Sequence, residues 1–447
     1  MPKPRFLLLN PPGSQRFTRD CLHSNVTKGV YYWHQLDLLL QSGWLGQVAE
    51  VSLIDAVAER LDDAQTLRRC VDLDPNYILF MTGEKSFPED QVFISRLHSA
   101  LPRSELFASG DVVFFRGEKP FEEFEGLRGV LTDFGSDGLK RFLEGERGMI
   151  SGLRYLDESG NVVAEGLVKG PLYYPEPLHS IFPRENYALP FGSPLPFASV
   201  LTNFGCPFPC SYCNAKDVGF RKREVEEVLS ELSSLKDQGY RKIYFRDPTF
   251  ATRAVHGLKL CEEMVERDLV FEWNAFTRPD ILSEELLSAM SASGCKVLQF
   301  GIETPDFEML QSHRKKFKDE KIRSVVQQCH AQGIKVCGHF MIGFPEEDPD
   351  GWDSVVDYAL DLNCDYFALN MAEVRLGTTL DKSPPAMELN RKKLFFDEKK
   401  LNAAVDRMNR RFYLRPSFVV QQLASVRTRA HLGRLVNLGL QMLMGRR

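Results

Sequence analysis

The chain has 447 residues, 43% of them hydrophobic and 26% charged, with a formal net charge of −5 and ten cysteines. That length can bury two or three sizeable cores, and 11% aromatics with a near-neutral balance exclude disorder as the dominant state. No run of 18 apolar residues occurs, so no membrane-spanning helix is expected, and Asn10-Pro11-Pro12 after the first apolar run is no signal-peptidase site. A cytoplasmic location is expected, where thiols stay reduced and ten cysteines divide into packing residues and ligands.

In chain order, short apolar runs predict strands at Arg5–Asn10, Glu50–Ile54, Tyr77–Met81, Glu105–Ala108 and Gly129–Thr132. Helical periodicity lies between them at Trp33–Ser42, Ala64–Asp72 and Glu89–Ala100. This alternation predicts a doubly wound parallel sheet over residues 1–148. Such sheets bind ligands at the carboxyl ends of their strands, which selects the loops Asn10–Gly13, Thr82–Gly83 and Ser109–Asp111. Asn, Gly and Pro also end strands in any fold, so the signal is not specific.

Residues 149–196 read as a connector. Met149–Lys169 resembles a β-hairpin turning at Asp157–Asn161, and seven of the 25 prolines fall between Pro171 and Pro196. Proline disfavours helix at the preceding residue, so an extended, semi-rigid segment is expected. Over residues 197–393 the rhythm resumes. Strands are predicted at Phe197–Phe204, Lys242–Arg246, Phe271–Phe276, Lys296–Gly301, Lys335–Ile342 and Asp365–Asn370. Amphipathic helices fit between them, at Val225–Gln238, Val255–Arg267, Ser283–Ser293, Asp319–Gln332 and Gly351–Asn363. Six βα units predict a partial (β/α)6 barrel of the TIM type, with its chemistry on the loops after the strands. Residues 394–447 read as a helical C-terminal region. From Val405 onward it holds nine arginines and one acidic residue, +8, leaving −13 for the preceding part.

One loop carries high information. Cys206, Cys210 and Cys213 stand at C-x3-C-x2-C directly after the first strand of the second domain. Thiolates at this spacing can converge on one centre. A structural zinc site needs a fourth ligand, and the nearest later candidates, His256 and Cys261, lie far off in a predicted helix. An iron–sulfur cluster usually takes four cysteines. With three, one iron stays open to a small molecule.

The segment is similar to the cluster loop of radical S-adenosylmethionine (SAM) enzymes, down to the aromatic Tyr212 before the last cysteine. The resemblance runs on through five further loops: Phe245–Phe250, Phe276–Asp280 as the family's R-x-D, Phe300–Thr304 as its G-I-E-S, Ile342–Glu347 as its G-x-P-G-E, and Ala372–Thr378. It implies a [4Fe–4S] cluster on the three cysteines and SAM beside it. Glu303 can accept ribose hydroxyls and Arg278 can pair with the SAM carboxylate. Asp247 is expected to meet the SAM amino group or to cap the following helix, and Gly343 and Pro345 to shape the loop under adenine. An electron donor such as a flavodoxin or ferredoxin is implied. The other seven cysteines are scattered, and no second cluster motif is present.

A doubly wound domain ahead of such a barrel resembles the cobalamin-binding class of the family, as do Phe6–Pro12, Val51–Ala56 and Arg411–Pro416. Cobalamin is therefore expected at Asn10, Gly83 and Gly110. The D-x-H-x-x-G motif that supplies a histidine to cobalt is absent, since Asp20-Cys21-Leu22-His23 has the wrong spacing. His34 either faces the corrin or is a core histidine. Known members imply C-methylation, cyclisation or rearrangement of an apolar substrate such as a lipid, terpenoid or tetrapyrrole. The alternatives are a cobalamin-free oxidoreductase or cyclase and a non-catalytic iron–sulfur protein. The basic amphipathic tail suits peripheral contact with an anionic membrane or docking on the acidic body, and no motif supports nucleic-acid binding.

Overall fold

The computed structural model describes residues 3–22, 24–27, 31–191, 195–380 and 394–424. Two sheets organise them. The first contains β1 (Arg5–Asn10), β2 (Glu50–Asp55), β3 (Tyr77–Met81), β4 (Glu105–Ser109), β5 (Leu127–Leu131), β6 (Leu153–Leu156) and β7 (Val162–Ala164). Its order is β2-β1-β3-β4-β5-β6-β7. The first five strands are parallel, and β1 pairs with both β2 and β3. Phe6–Leu9 is apolar at every position because both of its faces are buried, as in a sheet covered on two sides. The strand order reverses between β1 and β3, which places the ligand crevice of such a sheet at Asn10 and Thr82. The hairpin expected in the connector is β6–β7, and it extends this sheet antiparallel to β5.

The second sheet is wholly parallel and keeps chain order: β8 (Phe197–Val200), β9 (Lys242–Phe245), β10 (Glu272–Thr277), β11 (Cys295–Glu303), β12 (Lys335–Ile342) and β13 (Tyr366–Met371). Side-chain alternation sorts its two faces. Ile243, Phe245, Trp273, Ala275, Leu298, Phe300, Val336 and Phe340 pack with the helices in one core. The opposite face carries Ser199, Tyr244, Asn274, Phe276, Gln299 and His339, linked in part by Gln299–Tyr244 and His339–Gln299 hydrogen bonds. The strand predicted over Phe197–Phe204 is broken: β8 stops at Val200, and Asn203–Phe204 turns aside to pair antiparallel with Arg221–Lys222.

The two sheets share a seam. The N-terminal core continues into Phe197, Leu201, Phe204, Tyr244 and Leu376. Asp20 and Arg246 form a buried ion pair at 2.7 Å across it, with the guanidinium 5.0 Å from the Trp33 ring. Lys85 meets Glu373 at 2.6 Å, and Asp133 meets Arg221. The proline-rich segment is pinned at several points. Leu178 N–H donates to Ser42 and Tyr187 to Asp55, while His179 contacts Glu231. The helix Glu398–Tyr413 buries Leu401, Val405, Met408 and Phe412, and pairs Arg407 and Arg411 with Asp353 and Asp357. The tail from residue 425, where most of the expected basic amphipathic pattern falls, lies outside the described residues.

Candidate functional site

The cysteine loop leaves β8 through a turn that only glycine permits. Gly205 has φ +67°, and a Cβ there would lie 1.7 Å from the Gly219 carbonyl oxygen. The loop is held by its own backbone: Cys206 N–H donates to Ala215 O and Cys213 N–H to Cys210 O. Cys206 and Cys210 are buried and Cys213 partly so. Burial pushes the Cys206 thiol up and the Cys213 thiol to about 11, with the neighbouring thiols adding to both shifts. Among the described residues, no three His, Cys, Asp or Glu side chains gather around a single-ion centre.

Glu303 ends β11 with φ +71°, at a register shift against β12. A left-handed conformation costs a non-glycine residue about 1 kcal/mol, and here it turns the carboxylate toward Lys315, 2.6 Å away. Gly301 makes room, since a Cβ there would sit 2.8 Å from the Glu303 carboxylate. Lys315 is delivered by the end of the helix Phe307–Ser312, where Arg314 takes φ +62° and Lys315 N–H returns to Leu310 O. Its ammonium also lies 5.9 Å from the Tyr212 ring centroid.

After β12, Gly343 has φ +90°, and the loop closes on the Glu347 carboxylate. That group accepts from the Gly343 and Phe344 N–H groups and from the Trp352 indole. Burial raises Glu347 to about 7, against the lowering effect of those three donors. Pro345 is exposed on the rim. Phe344 turns inward against Tyr212, with ring centroids 5.7 Å apart. His313 stands between this loop and the cysteine loop. Its Nδ1 is 2.8 Å from the Ser211 hydroxyl and its Nε2 3.2 Å from Glu346.

Several expected site residues have other partners. Asp247 neither meets an open cleft nor caps a helix. Its buried carboxylate accepts from Thr202 N–H, Asn203 N–H and the Thr202 hydroxyl, fixing the exit from β8, and burial raises it to about 7. Arg278 is clamped by both oxygens of Asp280 and lies 3.9 Å over Phe208 of the cysteine loop. It buttresses that loop. In the N-terminal crevice, Asn10 is tied to Tyr32, Asp55 and Arg19. Arg19 is fully buried, with Asp90 2.7 Å away. A Cβ on Gly83 would meet Ser24 at 2.5 Å, and one on Gly110 would meet Thr82 O at 1.9 Å. Around these three positions lie the chain's own Arg19, Ser24 and Thr82. His34 is a core residue, bonded to Ser199 and ringed by Phe182, Tyr187 and Phe197, and burial holds its pKa well below the usual range. Sequence reasoning missed Lys315, His313 and Trp352. A helix end followed by a run of cations, Arg314-Lys315-Lys316, is a common surface pattern and carries no signal of its own.

Residues 200–359 match the model of the radical SAM superfamily. It is 27% identical over 345 residues to an uncharacterized methyltransferase of Pyrococcus horikoshii, covering 74% of each chain. It is 28% identical over 419 residues to the anaerobic magnesium-protoporphyrin IX monomethyl ester cyclase of Rubrivivax gelatinosus, covering 86% of this chain and 72% of the cyclase. Among solved structures, the cobalamin-dependent SAM radical enzyme OxsB superposes with a TM-score of 0.69 at 18% identity, over 98% of this chain and 71% of OxsB. The two-sheet architecture is therefore a fold shared with that enzyme.

Proposed function

We propose that the chain is a radical SAM enzyme in which Cys206, Cys210 and Cys213 hold a [4Fe–4S] cluster. On this reading the second sheet is a (β/α)6 partial barrel and the first a Rossmann-like, cobalamin-type domain. The observation that carries it is the C-x3-C-x2-C loop at the mouth of a six-stranded parallel sheet, inside the segment that matches the family. The donor set fits. A cubane takes each thiolate on a different iron, so three thiols need not meet at one point, and iron binding replaces the thiol protons, which burial favours on Cys206 and Cys213.

A bound cluster supplies the electron that cleaves SAM and so initiates hydrogen removal from an unactivated C–H bond. The chain's own residues bind and orient. Glu303 and Lys315 present a carboxylate and an ammonium 2.6 Å apart, suited to the ribose hydroxyls and the carboxylate of SAM. Gly343, Phe344 and Glu347 form the wall for adenine, and Pro345 bounds it. Tyr212 and Phe344 cover the loop and exclude water. Cobalamin is the further cofactor that the shared fold supports. Asn10, Gly83 and Gly110 do not fit as its holders, because Arg19, Ser24 and Thr82 already occupy their surroundings, and no step is assigned to it. C-methylation is the favoured outcome, with cyclisation second.

The test is metal content. Anaerobically reconstituted wild-type chain is expected to carry about four iron and four sulfide per chain, and Cys210→Ala far less. Zinc retained without a visible iron–sulfur band contradicts the reading.

A further inference from the structure

We propose that His313 is a positioning residue that registers the cysteine loop against the loop after β12. This rests on the proposed cluster and SAM sites and names the strut between them.

The side chain is 3% exposed. A leucine could fill such a volume, yet the imidazole uses both nitrogens. Nε2 faces a carboxylate oxygen of Glu346 at 3.2 Å, and an ionised carboxylate only accepts, so in the neutral ring Nε2 carries the hydrogen. Nδ1 is then the acceptor for the Ser211 hydroxyl at 2.8 Å. Ser211 is gripped a second time, because its N–H donates to the His313 carbonyl at 3.2 Å. It directly follows Cys210 and lies two residues before Cys213. One residue therefore fixes, by backbone and side chain together, the stretch that sets the separation of two thiols.

The ring also packs. It lies 4.9 Å from Phe344 with planes 32° apart, and Tyr212 stands edgewise to both rings. His313, Tyr212 and Phe344 thus join three loops, those after β8, β11 and β12. The helix Phe307–Ser312 supports the strut from behind, with His313 N–H donating to Met309 O. Displacing the ring frees Ser211 and Phe344 together, so the thiols and the adenine wall lose their common register.

Three measurements on the full chain test this, using His313→Leu and His313→Asn. In the iron-free protein, amide exchange of residues 210–214 is expected to rise about tenfold in His313→Leu, the loss of one or two neutral hydrogen bonds. After reconstitution, both variants are expected to keep wild-type iron. His313→Leu is expected to raise the KM for SAM about tenfold with little change in kcat, and to weaken the change that SAM causes in the electron paramagnetic resonance spectrum of the reduced cluster. His313→Asn, which can still accept from Ser211, is expected to recover part of each effect. Unchanged exchange and unchanged KM in His313→Leu overturn the proposal. So does equal loss of folding in both variants, which marks the residue as merely structural. The exchange measurement needs no cluster, so a wild-type chain that holds no iron contradicts the proposed function while the strut is still decided.

Discussion

At the scale of single residues, a local pattern can nominate a ligand but cannot say what else competes for it. The cysteines stand out in the sequence because their spacing alone nominates them as a set. Arg278 and Asp247 were legible as residues of interest but not in their roles. Asp280, the partner of Arg278, lies two residues along the chain, whereas the Thr202–Asn203 backbone that holds Asp247 is brought there by tertiary placement. Lys315 shows the converse. It gained its meaning only once Glu303 was seen 2.6 Å away. The pair is nearly buried, so each charge depends on the other, and substituting either breaks the unit. Lys315→Met is expected to weaken SAM binding about tenfold, and adding it to Glu303→Gln to cost little more. Equilibrium binding of SAM to the reconstituted chain measures this. Additive losses would show that the two side chains act separately.

At the scale of elements, the eleven parallel strands were readable from apolar runs bounded by turn residues. The pattern did not reveal that the run from Phe197 breaks at Val200, because Leu201 to Phe204 stays apolar enough to pass for strand. Burial of the Asp247 carboxylate among those backbone donors makes the break. Nor did it reveal that the hairpin joins the first sheet, since pairing partners are not a local property. The loop after β12 carries a titratable brace. Glu347 releases its proton near 4.5 when unfolded and near 7 when folded. Between those values the native state holds a proton that the unfolded state has lost, so this group's contribution to stability falls as pH rises through the window. Glu347→Gln is expected to flatten the decline in unfolding free energy between pH 5 and 7 by about one proton's worth of slope. Denaturant titrations across that range read it, and an unchanged slope would exclude Glu347 as the source.

At the scale of the whole molecule, the two sheets meet in a seam that is packed and charged at once. Asp20 and Arg246 are both almost fully buried. Such a pair contributes little net stability by its attraction alone, whereas removing one partner strands the other charge. Arg246→Met is therefore expected to destabilise the chain by about 3–5 kcal/mol, and Arg246→Met with Asp20→Leu to recover much of that loss. Reversible chemical denaturation distinguishes this from a seam in which Arg246 merely packs, where the double variant would be no better than the single. The seam also sets what surrounds the strand ends of the first sheet. The segment after β1 folds back over them, with Arg19 bonded to Asn10 and the next residue, Asp20, reaching Arg246 of the other sheet.

The central claim, that the cysteine loop anchors a cluster for SAM cleavage, is tested most directly by 5′-deoxyadenosine. With anaerobically reconstituted wild-type chain, SAM and a strong reductant, 5′-deoxyadenosine is expected to accumulate, and with Cys210→Ala it is expected to stay at background. No product from the wild type, or equal product from Cys210→Ala, would contradict the account.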